Sequence, residues 1–249
     1  KKFTELARTF SSDEFVAVAT SAAREATNQN DLLRMIRQEA HLDIRVISGR
    51  EEARLIYLGV ASGTHLDTRT GFFIDIGGGS TEIAVGTASD YQFLDSFRLG
   101  AIRLANMYFP HDQTGPVTPD QYRKIQRHIK NVIVHSLPKI KKIPLDCAIG
   151  SSGTIINLAE IAHKALHPSA PVTDLTLSYK DLKKVIDLLC SLPLEQRRKV
   201  PGINPERADI IIAGAAVLDT FMKELALERI TATGRGLQDG LLVDYLSRM

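Results

Sequence analysis

Along the chain, short apolar runs alternate with longer stretches whose apolar positions recur every three or four residues. Runs of the first kind occupy 16–20, 44–47, 72–76, 83–85, 92–97, 145–149 and 229–233. Their length and their polar or glycine-rich flanks predict buried strands. Stretches of the second kind predict amphipathic helices. One stripe carries Leu32, Leu33, Ile36 and Ala40, and a longer one carries Ile125, Ile129, Val132, Ile133 and Leu137. Further stripes carry Ile155, Leu158, Ala159 and Ala162, then Leu182, Val185, Ile186 and Leu189. Helix starts are marked too. Asp31, Thr118 before Pro119, and Ser178 sit at N-cap positions, and Ser48 with Glu51 spells a capping box for a helix through Leu58 or slightly beyond. Asn204-Pro205 starts a strongly apolar helix to about Leu225, and Gly234-Arg235-Gly236 turns into a closing helix.

The order of these elements predicts an α/β fold. From residue 61 onward it reads three consecutive strands, helices, strand, helices, strand, helix. Strands joined by helical crossovers pair in parallel. The expectation over 61–249 is therefore a ribonuclease-H-like (actin-like ATPase) domain with a mixed five-stranded sheet. Residues 1–60 read as strand, helix, strand, helix, the C-terminal half of a first domain of the same kind. Two such domains face each other in the actin, Hsp70 and sugar-kinase superfamily, which this order resembles. Two short parallel strands leave an unpaired edge. A further half-sheet of several tens of residues is expected from the natural chain or from a partner chain.

Composition narrows the function classes. At 44% hydrophobic and 24% charged residues, the 249-residue chain is ordinary for a folded domain or two. A net charge of +2 is too mild for a general nucleic-acid binder, so no specific nucleic acid is expected as partner. The basic clusters Lys139, Lys141, Lys142 and Arg197, Arg198, Lys199 read as solvated faces or as guides for a polyanion. Cys147 and Cys190 lie in apolar contexts and read as small buried hydrophobes, which fits a reducing, cytoplasmic compartment. No apolar run has membrane-spanning length, and the seven histidines show no metal-ligand spacing.

The most informative stretch is Phe72-Phe73-Ile74-Asp75-Ile76-Gly77-Gly78-Gly79-Ser80-Thr81-Glu82-Ile83-Ala84-Val85-Gly86. Two strands flank a turn of three glycines and two hydroxyls. Such a turn offers backbone N–H groups with no Cβ in the way, which suits an anion. Asp75 and Glu82 flank it as oxygen ligands for a hard cation such as Mg²⁺. The competing reading is a plain hairpin with two solvated acids. Gly150-Ser151-Ser152-Gly153-Thr154 opens a helix and forms a second phosphate cradle, since a helix N-terminus favours anions. It lacks the last glycine of a G-x-S-x-G nucleophile elbow. Of two neighbouring acids, Glu51 falls where a capping-box carboxylate belongs. Glu52 lies about 100° further round the helix, beside Leu55 and Ile56, an odd place for a charge unless it lines a cleft.

The segments 17–28 (AVATSAAREATN) and 47–60 (ISGREEARLIYLGV) closely resemble the exopolyphosphatase / guanosine pentaphosphate phosphohydrolase family. Residues 74–82, 150–154 and Gly236-Leu237-Gln238-Asp239-Gly240 continue the resemblance in the same order. It implies Mg²⁺-assisted hydrolysis of a terminal phosphoanhydride, of inorganic polyphosphate or guanosine pentaphosphate, in a cleft between two domains. Carried over residue by residue, it implies Glu52 as general base. It also implies Ser21, Arg24, Gly77, Gly78, Gly79, Ser80, Thr81 and residues Gly150, Ser151, Ser152, Gly153 and Thr154 at phosphate, with Asp75 and Glu82 at the metal. The family's first phosphate hairpin has no counterpart here, so an incomplete first domain is expected. A homodimer is expected as well. The alternatives are a non-catalytic nucleotide or polyphosphate sensor of the same fold, and a kinase or ATPase of the superfamily. The Arg24 and Glu51-Glu52 motifs favour the hydrolase.

Overall fold

The structure is a computed structural model and describes residues 2–10, 14–110, 114–169 and 175–249. Its first part runs α1 (Lys2–Thr9), β1 (Val18–Ala19), α2 (Ser21–Arg24), α3 (Gln29–Ala40), β2 (Arg45–Val46) and α4 (Gly49–Ala61). Then follow β3 (Gly71–Ile76), β4 (Thr81–Gly86), β5 (Tyr91–Phe97), α5 (Ala101–Tyr108), α6 (Pro119–Ile133) and α7 (Leu137–Ile140). Next come β6 (Cys147–Ser151), α8 (Ser152–Ile161), β7 (Thr176–Ser178), α9 (Tyr179–Ser191) and α10 (Leu194–Arg197). The chain closes with α11 (Ile211–Glu224), β8 (Arg229–Ala232) and α12 (Leu237–Leu246). Among the described residues, no helix is long and apolar enough to cross a membrane.

The main sheet has the order β5-β4-β3-β6-β8-β7. Strands β3, β4 and β5 are antiparallel neighbours, while β6 runs parallel to β3 and β8 parallel to β6. This is the ribonuclease-H-like order, with one correction. Among the described residues the sheet has six strands rather than five, because β7 pairs antiparallel with β8 at the edge. Three residues, Thr176 to Ser178, are too few to show a period of two. The N-terminal pair β1-β2 forms its own two-stranded parallel sheet.

The pleat of β3 sorts the core into two sides. Phe72, Ile74 and Ile76 pack with residues of α5, α6, α8, α9 and α11. Phe73, with Ala84 and Ile149 of neighbouring strands, packs instead against Ala53, Ile56, Tyr57 and Val60 of α4. Successive strand side chains point to opposite faces, so Asp75 shares the face of Phe73 and looks toward α4. Helix α11 is buried around its whole circumference from Ile211 to Met222, as its uniformly apolar sequence requires.

Several expectations shift at element ends. The cap of α3 is Asn28, and Asp31 lies inside its first turn. None of its residues is buried, and Leu33, Ile36 and Ala40 of the Leu32 stripe are only half-buried. Val132 is 37% exposed and lies outside the α6 core stripe. The apolar stretch after Asn204 begins as a short 3₁₀ turn at Pro205–Arg207, and the α-helix proper starts at Ile211. Thr118 and Ser178 cap α6 and α9 as expected, accepting from Gln121 N and Asp181 N. Ser48 Oγ accepts from Glu51 N, but Glu51 does not complete the box. Its carboxylate takes two hydrogen bonds from Arg54 at 2.8 and 2.9 Å, which a charged donor makes the stronger choice.

Candidate active site

Register builds the centre of the site. Asp75 and Glu82 are direct cross-strand partners, Glu82 lies opposite Ser96 on β5, and Asp75 lies opposite Ser151 on β6. One polar row therefore crosses four strands on the α4 face. Ser96 Oγ donates to Glu82 Oε1 at 2.7 Å, and Ser151 Oγ donates to Asp75 Oδ2. Two like charges placed opposite each other in a sheet repel. The pair needs a proton or a cation.

Above this row stands the first turn of α4. Glu52 is 6% exposed and accepts a 3.1 Å hydrogen bond from Arg24 Nη1. The same nitrogen donates to Ile47 O at 2.8 Å. That leaves Nε and Nη2 of Arg24 without an acceptor among the described residues. Burial pushes the Glu52 carboxyl up against the pull of Arg24, and the Asp75 charge pushes the same way. Glu82 is pushed up to about 8, by burial first and by the Glu52 charge next, with the hydrogen bond from Ser96 opposing. Asp75 is likewise raised by burial against the bond from Ser151. The charge of Asp75 thus acts on Glu52, and the charges of both act on Glu82.

The sign of the Glu82 shift yields a first prediction. Its folded pKa of about 8 exceeds the ordinary 4.5, so the folded state holds a proton that the unfolded chain releases. The contribution is fully present below about 4.5 and is lost as pH rises through about 8. Thermal melts of metal-free protein should show Tm falling by several degrees between about pH 6 and pH 9. The Glu82→Gln variant should flatten that slope. An equal slope in both proteins would refute the assignment.

The glycine turn closes the front of the site. Gly77 N donates to Ser80 O at 3.0 Å, and the carbonyls of Gly77 and Gly78 accept from the first N–H groups of α5, at Ala101 and Ile102. Gly78 and Gly79 keep N–H groups that have no acceptor among the described residues. A Cβ on Gly79 would stand 2.5 Å from Ser21 Oγ, so only glycine lets the end of β1 meet this turn. Thr81 Oγ1 donates to Leu99 O and Thr154 Oγ1 to Ile76 O. These two hydroxyls hold the scaffold, and any phosphate contact at those positions falls to the main chain.

The second cradle, Gly150 to Thr154, is tied to the first through Ser151 and Asp75. Ser152 has φ of +86°, a strained value for a residue with a Cβ, and its buried Oγ has no hydrogen-bond partner among the described residues. Arg207 was not singled out by sequence. Its guanidinium lies against Gly153, where a Cβ would be 2.3 Å from Nη2, and it makes no hydrogen bond or ion pair to a described residue. It sits in the polar Glu206-Arg207 step with no motif around it, so nothing local marked it. Arg235 donates to Ser62 Oγ at 3.0 Å and stays outside the site.

The donor set bears on a metal. Among the described residues, no three His, Cys, Asp or Glu side chains converge as a ligand group. An all-protein cage is therefore not built here. The paired Asp75 and Glu82 fit Mg²⁺ in its usual mode, in which one or two carboxylates act with substrate phosphates and waters.

A family model described as the Ppx/GppA phosphatase family matches residues 1–249. Exopolyphosphatase 1 of Mycobacterium leprae is 30% identical over 246 residues, covering 98% of this chain and 72% of the relative. The Mycobacterium tuberculosis protein of the same name is 28% identical over 250 residues, with 98% and 71% covered. A solved exopolyphosphatase from Cytophaga hutchinsonii superposes with a TM-score of 0.90 at 26% identity, covering 100% of this chain and 80% of that one. An Aquifex aeolicus member of the Ppx/GppA family superposes at 0.80 with 27% identity, covering 99% and 78%.

Proposed function

The chain belongs to the Ppx/GppA phosphatase family, and on that premise we propose that it removes the terminal phosphate of inorganic polyphosphate. One observation carries the reading. The buried Glu52 faces the Asp75–Glu82 pair, and Arg24 and the glycine turn stand around the same three carboxylates. In this reading residues 1–60 and 61–249 belong to two ribonuclease-H-like units that flank the cleft.

Hydrolysis of a phosphoanhydride asks for a positioned water, a base and neutralised oxygens. Glu52 accepts the proton of the attacking water. The water oxygen bonds to the terminal phosphorus as its bond to the bridging oxygen breaks. Orthophosphate leaves, and the chain is one unit shorter. Arg24 presents its unused Nε and Nη2 to the phosphate oxygens in the planar fork that suits them. As it turns to phosphate it loosens from Glu52, and the carboxylate becomes a better base. The free N–H groups of Gly78 and Gly79, with Ser80 and Ser21, complete the cradle. Arg207 and the Ser152 hydroxyl line the opposite rim. Asp75 and Glu82 would hold Mg²⁺, which when bound neutralises phosphate oxygen charge.

The test compares phosphate release from long-chain polyphosphate, guanosine pentaphosphate and ATP, using the full natural chain with Mg²⁺. Release from polyphosphate exceeding the other two is the expected result. Release from ATP with transfer to an acceptor would move the protein to the kinases. Tight binding of polyphosphate with no turnover would make it a sensor.

A further inference from the structure

Glu25 follows Arg24 as the C-cap of α2. Its carboxylate accepts from Ser21 Oγ at 3.1 Å, from Arg103 Nη2 at 2.7 Å and from Arg98. Arg103 is itself fixed, since its Nε donates to Gly79 O at 2.8 Å. Ser21 is the residue packed on Gly79. Three donors thus converge on one carboxylate at the rim of the glycine turn.

Glu25 and Arg98 also line a cavity of about 700 Å³, whose other walls include Arg24, Arg50, Ser80 and Lys139. Four cations against Glu25 and Asp95 leave its charged walls positive. Asp95 is occupied elsewhere, accepting from Ser136 Oγ at 2.6 Å. Two guanidinium groups and a hydroxyl are a donor set that binds phosphate oxygens, and a carboxylate satisfies it in the same way.

We propose that Glu25 is an internal stand-in for phosphate and sets substrate specificity. It occupies the anion position made by Ser21, Arg98 and Arg103, and an inner phosphate unit of the substrate must displace it. The proposal rests on the polyphosphate reading above. The Arg98 contact yields readily, since Arg98 is 72% exposed and solvent-facing pairs hold weakly; the Arg103 contact, with Arg103 27% exposed, is the firmer of the two. A chain held at its terminal unit by Arg24 presents its next units to the pocket as tethered competitors, each with one negative charge like the carboxylate it displaces. A free orthophosphate lacks that tether and loses to the carboxylate. The device favours long chains and shields the site from its own product.

The test is Glu25→Gln, which keeps the size and an accepting oxygen but removes the charge. In phosphate-release assays with Mg²⁺, KM for tripolyphosphate should fall several-fold and KM for long chains should fall less. kcat should stay within about twofold, and orthophosphate should inhibit at several-fold lower concentration. An interdomain brace with no part in selection predicts the reverse: a lower Tm, with KM unchanged or higher. That outcome overturns the proposal. Binding is measured separately, as the rise in Tm on adding tripolyphosphate or orthophosphate without turnover. A larger rise in Glu25→Gln than in wild type supports the stand-in even if the protein hydrolyses nothing, whereas equal rises sink it while leaving the hydrolase reading intact.

Discussion

Replacing Glu52 with glutamine should lower kcat for phosphate release by about 10²- to 10⁴-fold, the usual contribution of a positioned general base. The amide matches the carboxylate in shape, and its oxygen still accepts from Arg24 Nη1, so the fold is preserved. What disappears is the proton acceptor. KM should change little, because Arg24 and the glycine turn still bind phosphate. A second readout guards against a merely structural explanation. The Glu52 charge helps hold Glu82 up near 8, so the variant should melt at or above the wild-type temperature at pH 8. Its neighbour provides the control. Glu51 is engaged by Arg54 on the far side of the turn, and Glu51→Gln should retain activity within a fewfold. If Glu52→Gln turned over at the wild-type rate, the assignment of the base would be wrong.

What was legible in the sequence followed from local rules. Asp75 and Glu82 stood out because a glycine triplet separates two apolar runs, whereas their position opposite each other on one face came from the strand register. Glu52 stood out through helical spacing, as a charge among apolar neighbours. Other features depended on which strand pairs with which. Ser96 is an unremarked polar residue of the run 92–97 until register sets it opposite Glu82, and only then does the four-strand polar row exist. Glu25, Arg98, Arg103 and Arg207 were missed for a related reason. Each gains meaning from a partner far along the chain, as Arg98 and Arg103 do from Glu25. The half-formed box at Glu51 is the opposite case. There a correct local rule lost to a stronger donor, Arg54, one turn further on.

The motif at 236–240 carries no charge that reaches phosphate, yet its structural role produces the other large expected effect. Helices α4 and α12 cross in direct contact. A Cβ on Gly240 would lie 1.8 Å from Leu55 O and 3.2 Å from Gly59 N, and one on Gly59 would lie 2.1 Å from Gly236 O. These are backbone atoms, which no rotamer change moves aside. Asp239 Oδ2 meanwhile accepts from Gly236 N at 2.9 Å and fixes where α12 starts. Gly240→Ala must therefore push the two helices apart, at a cost of about 3 kcal/mol or slightly more. For a chain of this size that is a fall in Tm of roughly 6–12 °C. Helix α4 also carries Glu52, so the folded fraction should lose activity as well, chiefly in kcat. A shift of about 1 Å at a catalytic group is worth about 100-fold. Gly234 is the matched control, since a Cβ there meets nothing within 4 Å, and Gly234→Ala should leave both Tm and kcat unchanged. Equal melting temperatures for the two variants would show that the helix crossing yields freely and that the position of Glu52 does not depend on it.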